Sequence, residues 1–245
     1  MDLLATLRRK RETIACNVCG DATFLDMNKR EKVRCSKCGS LERTRVIKLM
    51  LDDLGFPEPG MRVLHLAPEG GLANHLKSRV GEANYDARDI DVERYAHVKV
   101  SYFDLVKDAD KLPSEQFDLI IHSHVIEHLP CNVTAILYHL HRSLTKRGVH
   151  VFSFPIYGAH YEESLFPLSE EERHRRFGQF DHVRKFGVED IGLTLGMIFR
   201  LPEQYDLTGR FTKNALRSAN VPEEAWRGFT GHSVFAMRKD DLLLR

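Results

Sequence analysis

Four cysteines have the spacing of a metal site. Cys16 and Cys19 form one CxxC unit and Cys35 and Cys38 a second, each followed by glycine in CNVCG and CSKCG, with fifteen residues, 20 to 34, between them. Two such knuckles deliver four thiolates to one tetrahedral zinc. The competing readings are two disulfides or a redox-active pair. A reducing cytosol disfavours the first, and the missing βαβ context disfavours the second. With all four positions filled by protein the site is closed, so the expected Zn2+ is structural. Cys131, in LPCNV, has no neighbour that marks it as activated and is expected to be a packed or half-exposed thiol.

A second concentration of chemistry lies in FGQFDHVRKF, where Gln179, Asp181, His182 and Arg184 gather an amide, a carboxylate, an imidazole and a guanidinium within six residues. Histidine near its unperturbed pKa is suited to removing a proton from a reacting group, and a neighbouring carboxylate can orient it. His182 is the first candidate base, with Arg184 as anchor for an anionic group; a polar latch on a lid is the alternative. A third group, His124-Val-Ile-Glu127-His128, fits the HxxEH pattern of inverted zinc peptidases. That motif needs one helix carrying both histidines, whereas here it comes directly after the apolar run Leu119-Ile120-Ile121, so the peptidase reading is rejected.

These groups need elements to position them. The stretch MRVLHLAPEGGLANHL, 61 to 76, reads as a strand buried on both faces, a tight Pro-Glu-Gly-Gly turn and a helix. Such a turn is where a ligand is expected, outside the carboxyl ends of the strands of an open α/β sheet. Further strands are expected at 83–89, 97–102, 117–122, 148–154, 196–201 and 231–238, with helices between several of them and one over GVEDIGLTL. LERTRVIKLMLDDL, 41 to 54, reads as an amphipathic helix, and FPEPG marks a boundary after it. The expected fold is therefore α/β, a Rossmann-like, doubly wound, mostly parallel sheet with a small N-terminal zinc ribbon. Residues 1–55 form the ribbon and linking helix, and 56–245 the main domain. The polar and aromatic stretch 157–185 is too long for an ordinary connection and is expected to be a lid or substrate-binding insertion.

Composition limits the function classes. The chain has 245 residues, 42% hydrophobic and 29% charged, with 36 Lys and Arg against 35 Asp and Glu. A formal charge of +1 provides no global field for nucleic acid or an anionic membrane. Residues 1 to 48 are locally basic, twelve Lys and Arg against six acids, which admits an RNA partner but suits an ordinary solvated surface better. No apolar run approaches the roughly 20 residues of a membrane span, and MDLLATLRRKRE lacks a signal peptide's apolar core, so the expected location is the cytoplasm.

The series VLHLAPEGG, YDARDID, YFDLVKDADKLP, FDLIIHSHVIEHLP and LTKRGVHVFSFP resembles the ordered motifs of class I S-adenosylmethionine-dependent methyltransferases. The nearest resemblance is to the type 11 group, in members that carry an N-terminal CxxC…CxxCGSLER zinc ribbon and a later FGQxDHVR segment. It runs from Cys16 to Lys239. Ala67, Glu69 and Gly71 fall at the glycines of that family's first GxGxG loop, and two of the three glycines are absent. His65 stands where many relatives have an acid near the cofactor ammonium. Glu69 can take the ammonium instead, or serve only as a helix N-terminal acid. Asp89 matches the acid that accepts from the ribose hydroxyls, with Asp91 and Asp86 as alternatives, and Asp104 the acid that accepts from the adenine amino group, unless it only caps a turn. Ser123 and His124 should border the cofactor, with Glu127 and His128 at the edge of the acceptor pocket, unless His128 is only a surface or packing histidine.

The resemblance implies S-adenosylmethionine as methyl donor and says far less about the substrate; the acceptor we expect is a hydroxyl, or less readily an amine, of a small molecule or glycan. An RNA acceptor gripped by the basic ribbon comes second. A catalytically silent cofactor-binding module that docks a protein partner comes third.

Overall fold

The computed structural model describes residues 13–244, so Arg8, Arg9, Lys10 and Arg11 of the basic segment lie outside the described residues. The two cysteine knuckles turn on their glycines. Gly20 and Gly39 have φ of 79° and 72°, and their N–H groups donate to the Cys16 and Cys35 carbonyls. This left-handed backbone costs a Cβ-bearing residue energy, which explains a glycine after each CxxC. An antiparallel hairpin, β1 (Phe24–Met27) and β2 (Arg30–Cys35), joins the knuckles.

Helix α1 (Glu42–Leu54) comes next and stops at Gly55, which has φ of 70°. Its Val46, Ile47, Met50 and Leu51 are buried against Val63, Leu76, Leu119 and Val151 of the main sheet and its helices. The helix expected to belong with the ribbon is thus one layer of the main core. Arg45, on the same helix and fully buried, donates to the carbonyls of Val33, Ser40 and Asn220, and its guanidinium stacks over Phe24. One side chain ties the cysteine hairpin to the main domain.

The main sheet contains β3 (Val63–Leu66), β4 (Tyr85–Asp89), β5 (Ser101–Tyr102), β6 (Phe117–Ser123), β7 (Leu144–Ser153) and β10 (Val234–Arg238), in the spatial order β10-β7-β6-β3-β4-β5. All pairs are parallel except β10 with β7. The order reverses between β3 and β6, and the crevice of a doubly wound sheet opens at such a switch point. Alternate residues feed two cores. Val63, Leu119, Ile121, Val149 and Val151 face α1 and α2 (Gly70–Val80), while Leu64, Leu66 and Ile120 face α3 (Leu105–Asp108) and α4 (Val133–Arg142).

The stretch 196–201 is not a strand of this sheet. Leu195–Met197 is a single 3-10 turn, and Phe199 makes only an isolated antiparallel bridge to Leu242. Its apolar character comes from burial, since Phe199 packs on His141 and Phe152, and a short apolar run does not by itself distinguish strand from core loop. GVEDIGLTL likewise forms no α-helix, only a 3-10 turn at Ile191–Leu193. At its start Gly187 lies where a Cβ would come within 2.3 Å of the Ala159 carbonyl oxygen. That crossing closes the neck of the insertion. Within the insertion β8 (Glu162–Glu163) pairs with β9 (Arg184–Lys185), with α5 (Glu170–Phe177) between them. Helix α6 (Lys213–Ser218) precedes β10 in the chain.

Candidate active site

The site is built from the segments just beyond the carboxyl ends of β3, β4 and β6. After β3 the chain turns through Ala67, whose φ is 49°, then Pro68 and Glu69, before α2 begins. Ala67 therefore adopts the left-handed backbone that favours glycine, at the place where the resemblance leads one to expect a glycine. Two adjoining cavities open here. One, of about 370 Å³, is mainly apolar, walled by Phe103, Leu105, Val106 and Leu129 with Asp89 and Asp104 at its edge. The other, of about 930 Å³, is polar and bounded by Arg43, Glu69, Ser123, His124, Asp181 and His182. Ala67, Asp89 and His128 line both, which makes the two a continuous cleft.

Asp89 ends β4. Its Oδ1 accepts from the Asp91 N–H at 2.8 Å and its Oδ2 from the Tyr95 hydroxyl at 2.6 Å, so an ionised carboxylate keeps two further lone-pair positions for a diol. Asp91 lines only the polar cavity. Asp104 caps α3, accepting from Val106 N–H at 3.0 Å, and the Lys107 ammonium at 2.8 Å holds its carboxyl below the ordinary range. The cap and the cavity edge are the same residue.

Glu69 carries an unexpected partner set. Arg43 donates from Nη2 to its Oε1 at 3.0 Å and from Nε to Ser123 Oγ at 3.0 Å, while the Thr44 hydroxyl donates to its other oxygen. Arg43 thus lines the polar cavity, a position that sequence reasoning missed. It lies in CGSLER, but its contact with Glu69 spans 26 positions and no local pattern marks it.

On the far side, the insertion brings His182 beside His128, with ring centroids 4.7 Å apart and nearly perpendicular. His182 Nδ1 lies 3.1 Å from the Phe177 carbonyl, to which it donates, and His128 Nδ1 lies 3.2 Å from Asp181 Oδ2. Burial pushes the pKa of both histidines below the ordinary value, so each is a neutral imidazole near pH 7. Close to both, Glu127 is completely buried, and neither carboxylate oxygen has a hydrogen-bond partner. Desolvation pushes its pKa up to about 8. His124, at φ 54°, lies with Nδ1 3.3 Å from Glu127 Oε1. His124 lies just past the end of β6 and His128 on a 3-10 turn, Ile126–His128, so the HxxEH residues do not share an α-helix.

Three expected site residues are elsewhere. His65 is buried on the sheet face with Nδ1 2.8 Å from the Tyr85 hydroxyl, and burial lowers its pKa to about 3. It lines neither part of the cleft. Gly71 faces the second cysteine knuckle: a Cβ there would meet Cys38 Cβ at 2.8 Å. Arg184 is fully buried and commits Nε and Nη2 to Glu163 Oε1, at 2.9 and 2.6 Å, Nη1 to the Ile126 carbonyl, and Nη2 also to the Cys131 carbonyl at 2.7 Å. This corrects the expectation of a free anion anchor. Arg184 fastens the insertion to the segment after β6.

The four expected metal-binding cysteines do converge. Cys16 and Cys38 Sγ are 3.6 Å apart, Cys19 and Cys35 Sγ 3.5 Å, and all four lie within 4.8 Å of one another. A tetrahedral zinc with bonds of roughly 2.3 Å needs sulfurs about 3.8 Å apart, so the thiol set fits that ion. The basic character of this module is partly internal: Arg30 pairs with Glu42, Arg43 with Glu69 and Lys48 with Asp52. Among the described residues no helix is long and apolar enough to cross a membrane.

A family model described as a methyltransferase domain matches residues 41–190. No curated protein matched the chain. Among solved structures, similarity extends to a putative sarcosine dimethylglycine methyltransferase from Galdieria sulphuraria, 20% identical, covering 46% of each chain with a TM-score of 0.37. Coclaurine N-methyltransferase bound to N-methylheliamine and SAH is 14% identical, with 69% of this chain and 53% of that one covered and a TM-score of 0.44. An S-adenosylmethionine dependent methyltransferase from Mesorhizobium loti is 15% identical, with 81% and 97% covered and a TM-score of 0.48. The chain thus spans less than half the length of the first of these and about half of the second.

Proposed function

The chain belongs to the methyltransferase-domain family, and from that premise we propose that it transfers a methyl group from S-adenosylmethionine to a hydroxyl, or less readily an amine, of a small molecule or glycan. The observation that carries this reading is the joined cleft at the sheet's switch point, apolar on one side and polar on the other, with Asp89 at the junction. Asp89 would accept from the ribose hydroxyls, and Asp104 with Phe103, Val106 and Leu129 would hold the adenine. The Glu69–Arg43 pair offers one charge of each sign, as the methionine zwitterion requires. Ala67, Ser123 and His124 would border the same ligand.

Bound S-adenosylmethionine supplies an already activated methyl, so the protein's task is to position the acceptor, exclude water and manage one proton. His128 and His182 line the polar cavity with Nδ1 of each taken by a neighbouring oxygen, so each would present Nε2 to the methyl acceptor, to take its proton or to hold an ion that makes it more acidic. Among the described residues Arg30, Arg43 and Lys48 are paired with acids, which reduces the positive charge the cysteine module offers an RNA and favours the small acceptor. The test is calorimetric titration of the full chain with S-adenosylmethionine, then incubation with methyl-labelled donor and fractionated cell extract. Binding with label in a small polar product supports the reading. Failure to bind the donor overturns it, and label in RNA moves the acceptor to the second class.

A further inference from the structure

The rejected HxxEH residues still need an explanation, because Glu127 is completely buried with both carboxylate oxygens unpartnered. An isolated buried carboxylate is costly unless a cation or donors satisfy it. The guanidiniums of Arg43 and Arg184 are aimed at other acceptors. Imidazole is the group that faces Glu127 instead. His124 Nδ1 lies 3.3 Å and His128 Nε2 4.0 Å from its Oε1, and one ligand atom each from Glu127, His128 and His182 falls within 4.8 Å of the others.

The tautomers are preset. His182 uses Nδ1 on the Phe177 carbonyl and His128 has Nδ1 against Asp181 Oδ2, which leaves an Nε2 lone pair on each ring. Histidines that ligate metals are held in this way, with the second nitrogen donating to a carbonyl or a carboxylate. We propose that Glu127, His128 and His182 bind a divalent first-row transition-metal ion, at a site separate from the four cysteines. Two imidazoles and a carboxylate suit manganese, iron, cobalt or zinc better than calcium or magnesium. Bonds of roughly 2.1 Å would draw the three ligand atoms to about 3–3.4 Å from one another. Both histidines line the polar cavity, so the ion's remaining positions open towards the acceptor. Resting on the methyltransferase reading, the acceptor class such an ion recognises is one with adjacent oxygen donors, above all a vicinal diol.

The test uses the purified full chain with its cysteine site loaded with zinc, titrated with Mn2+ alone and monitored by loss of the free-ion electron paramagnetic resonance signal. One equivalent should bind. His128→Ala and His182→Ala should each weaken binding by at least tenfold, while His139→Ala leaves it unchanged. In case a histidine variant unfolds, NMR of the wild-type imidazoles provides a second readout. Mn2+ should broaden His128 and His182 and leave His75 and His139 sharp. No binding, binding indifferent to both histidines, or broadening confined to other histidines overturns the proposal. Mn2+ bound here in a chain that transfers no methyl group would uphold the site and sink the functional reading instead.

Discussion

Gly71 and Cys38 are in contact across two modules: a Cβ built on Gly71 would lie 2.8 Å from Cys38 Cβ and 2.9 Å from its carbonyl oxygen and Sγ. The first turn of α2 is the seat of the second cysteine knuckle, and the glycine is there for that close approach. Gly71→Ala should therefore destabilise the chain by about 1–3 kcal/mol through overpacking and loosen the knuckle in hydrogen exchange. A variant that keeps its stability but loses S-adenosylmethionine affinity would return Gly71 to the cofactor site.

The converging thiols lead us to expect one tightly held zinc, because binding at a closed thiolate site is coupled to folding. Metal analysis should find one equivalent on Cys16, Cys19, Cys35 and Cys38, and Cys35→Ser should release it and open the N-terminal hairpin first. A well-folded preparation with four free thiols and no zinc would contradict this.

Arg184 is expected to act through stability. Removing a buried guanidinium that satisfies Glu163 and two backbone carbonyls should cost about 3–5 kcal/mol in Arg184→Ala, and Arg184→Lys should rescue little because an ammonium cannot reproduce the fork. Denaturant unfolding measures the loss. A raised KM with unchanged stability would restore the anion-anchor role.

Asp89→Ala should weaken S-adenosylmethionine binding by about 1.5–3 kcal/mol, the scale of hydrogen bonds to a charged group. Tyr95→Phe, which removes only a donor to Asp89 Oδ2, should cost less. Calorimetry that shows full affinity in Asp89→Ala would shift the role to Asp91.

Acid should destabilise the fold through its buried histidines. Burial lowers the pKa of His65 and His122 to about 3, against about 6.5 in the unfolded chain. Above pH 6.5 both states are neutral and the stability is fully present. Below it the unfolded chain binds protons that the folded chain refuses, so stability falls by about 1.4 kcal/mol per pH unit for each histidine down to about pH 3. His122→Leu should flatten that slope by one proton and, with both orphaned ring nitrogens gone, cost little at pH 8. The difference between wild type and variant isolates His122 from Glu127, whose raised pKa acts in the opposite sense. Parallel urea curves from pH 4 to 8 would refute it.

The alternation of apolar strands and amphipathic helices, the turn after β3 and the paired CxxC units are local patterns, and they were legible because each arises from backbone geometry and burial within a few residues. The parallel sheet and the convergence of Cys16, Cys19, Cys35 and Cys38 agree with that reading. The segment 196–201 was not legible, because an apolar run reports burial and Phe199 is buried in a core loop. The roles of His65, Gly71 and Arg184 depended on partners at Tyr85, Cys38 and Glu163, which only packing selects. The same holds for the polar cluster. Glu127 and His128 meet His182 because the insertion folds back across the end of β6, and a contact between residues so far apart in the chain is set by tertiary structure and not by spacing.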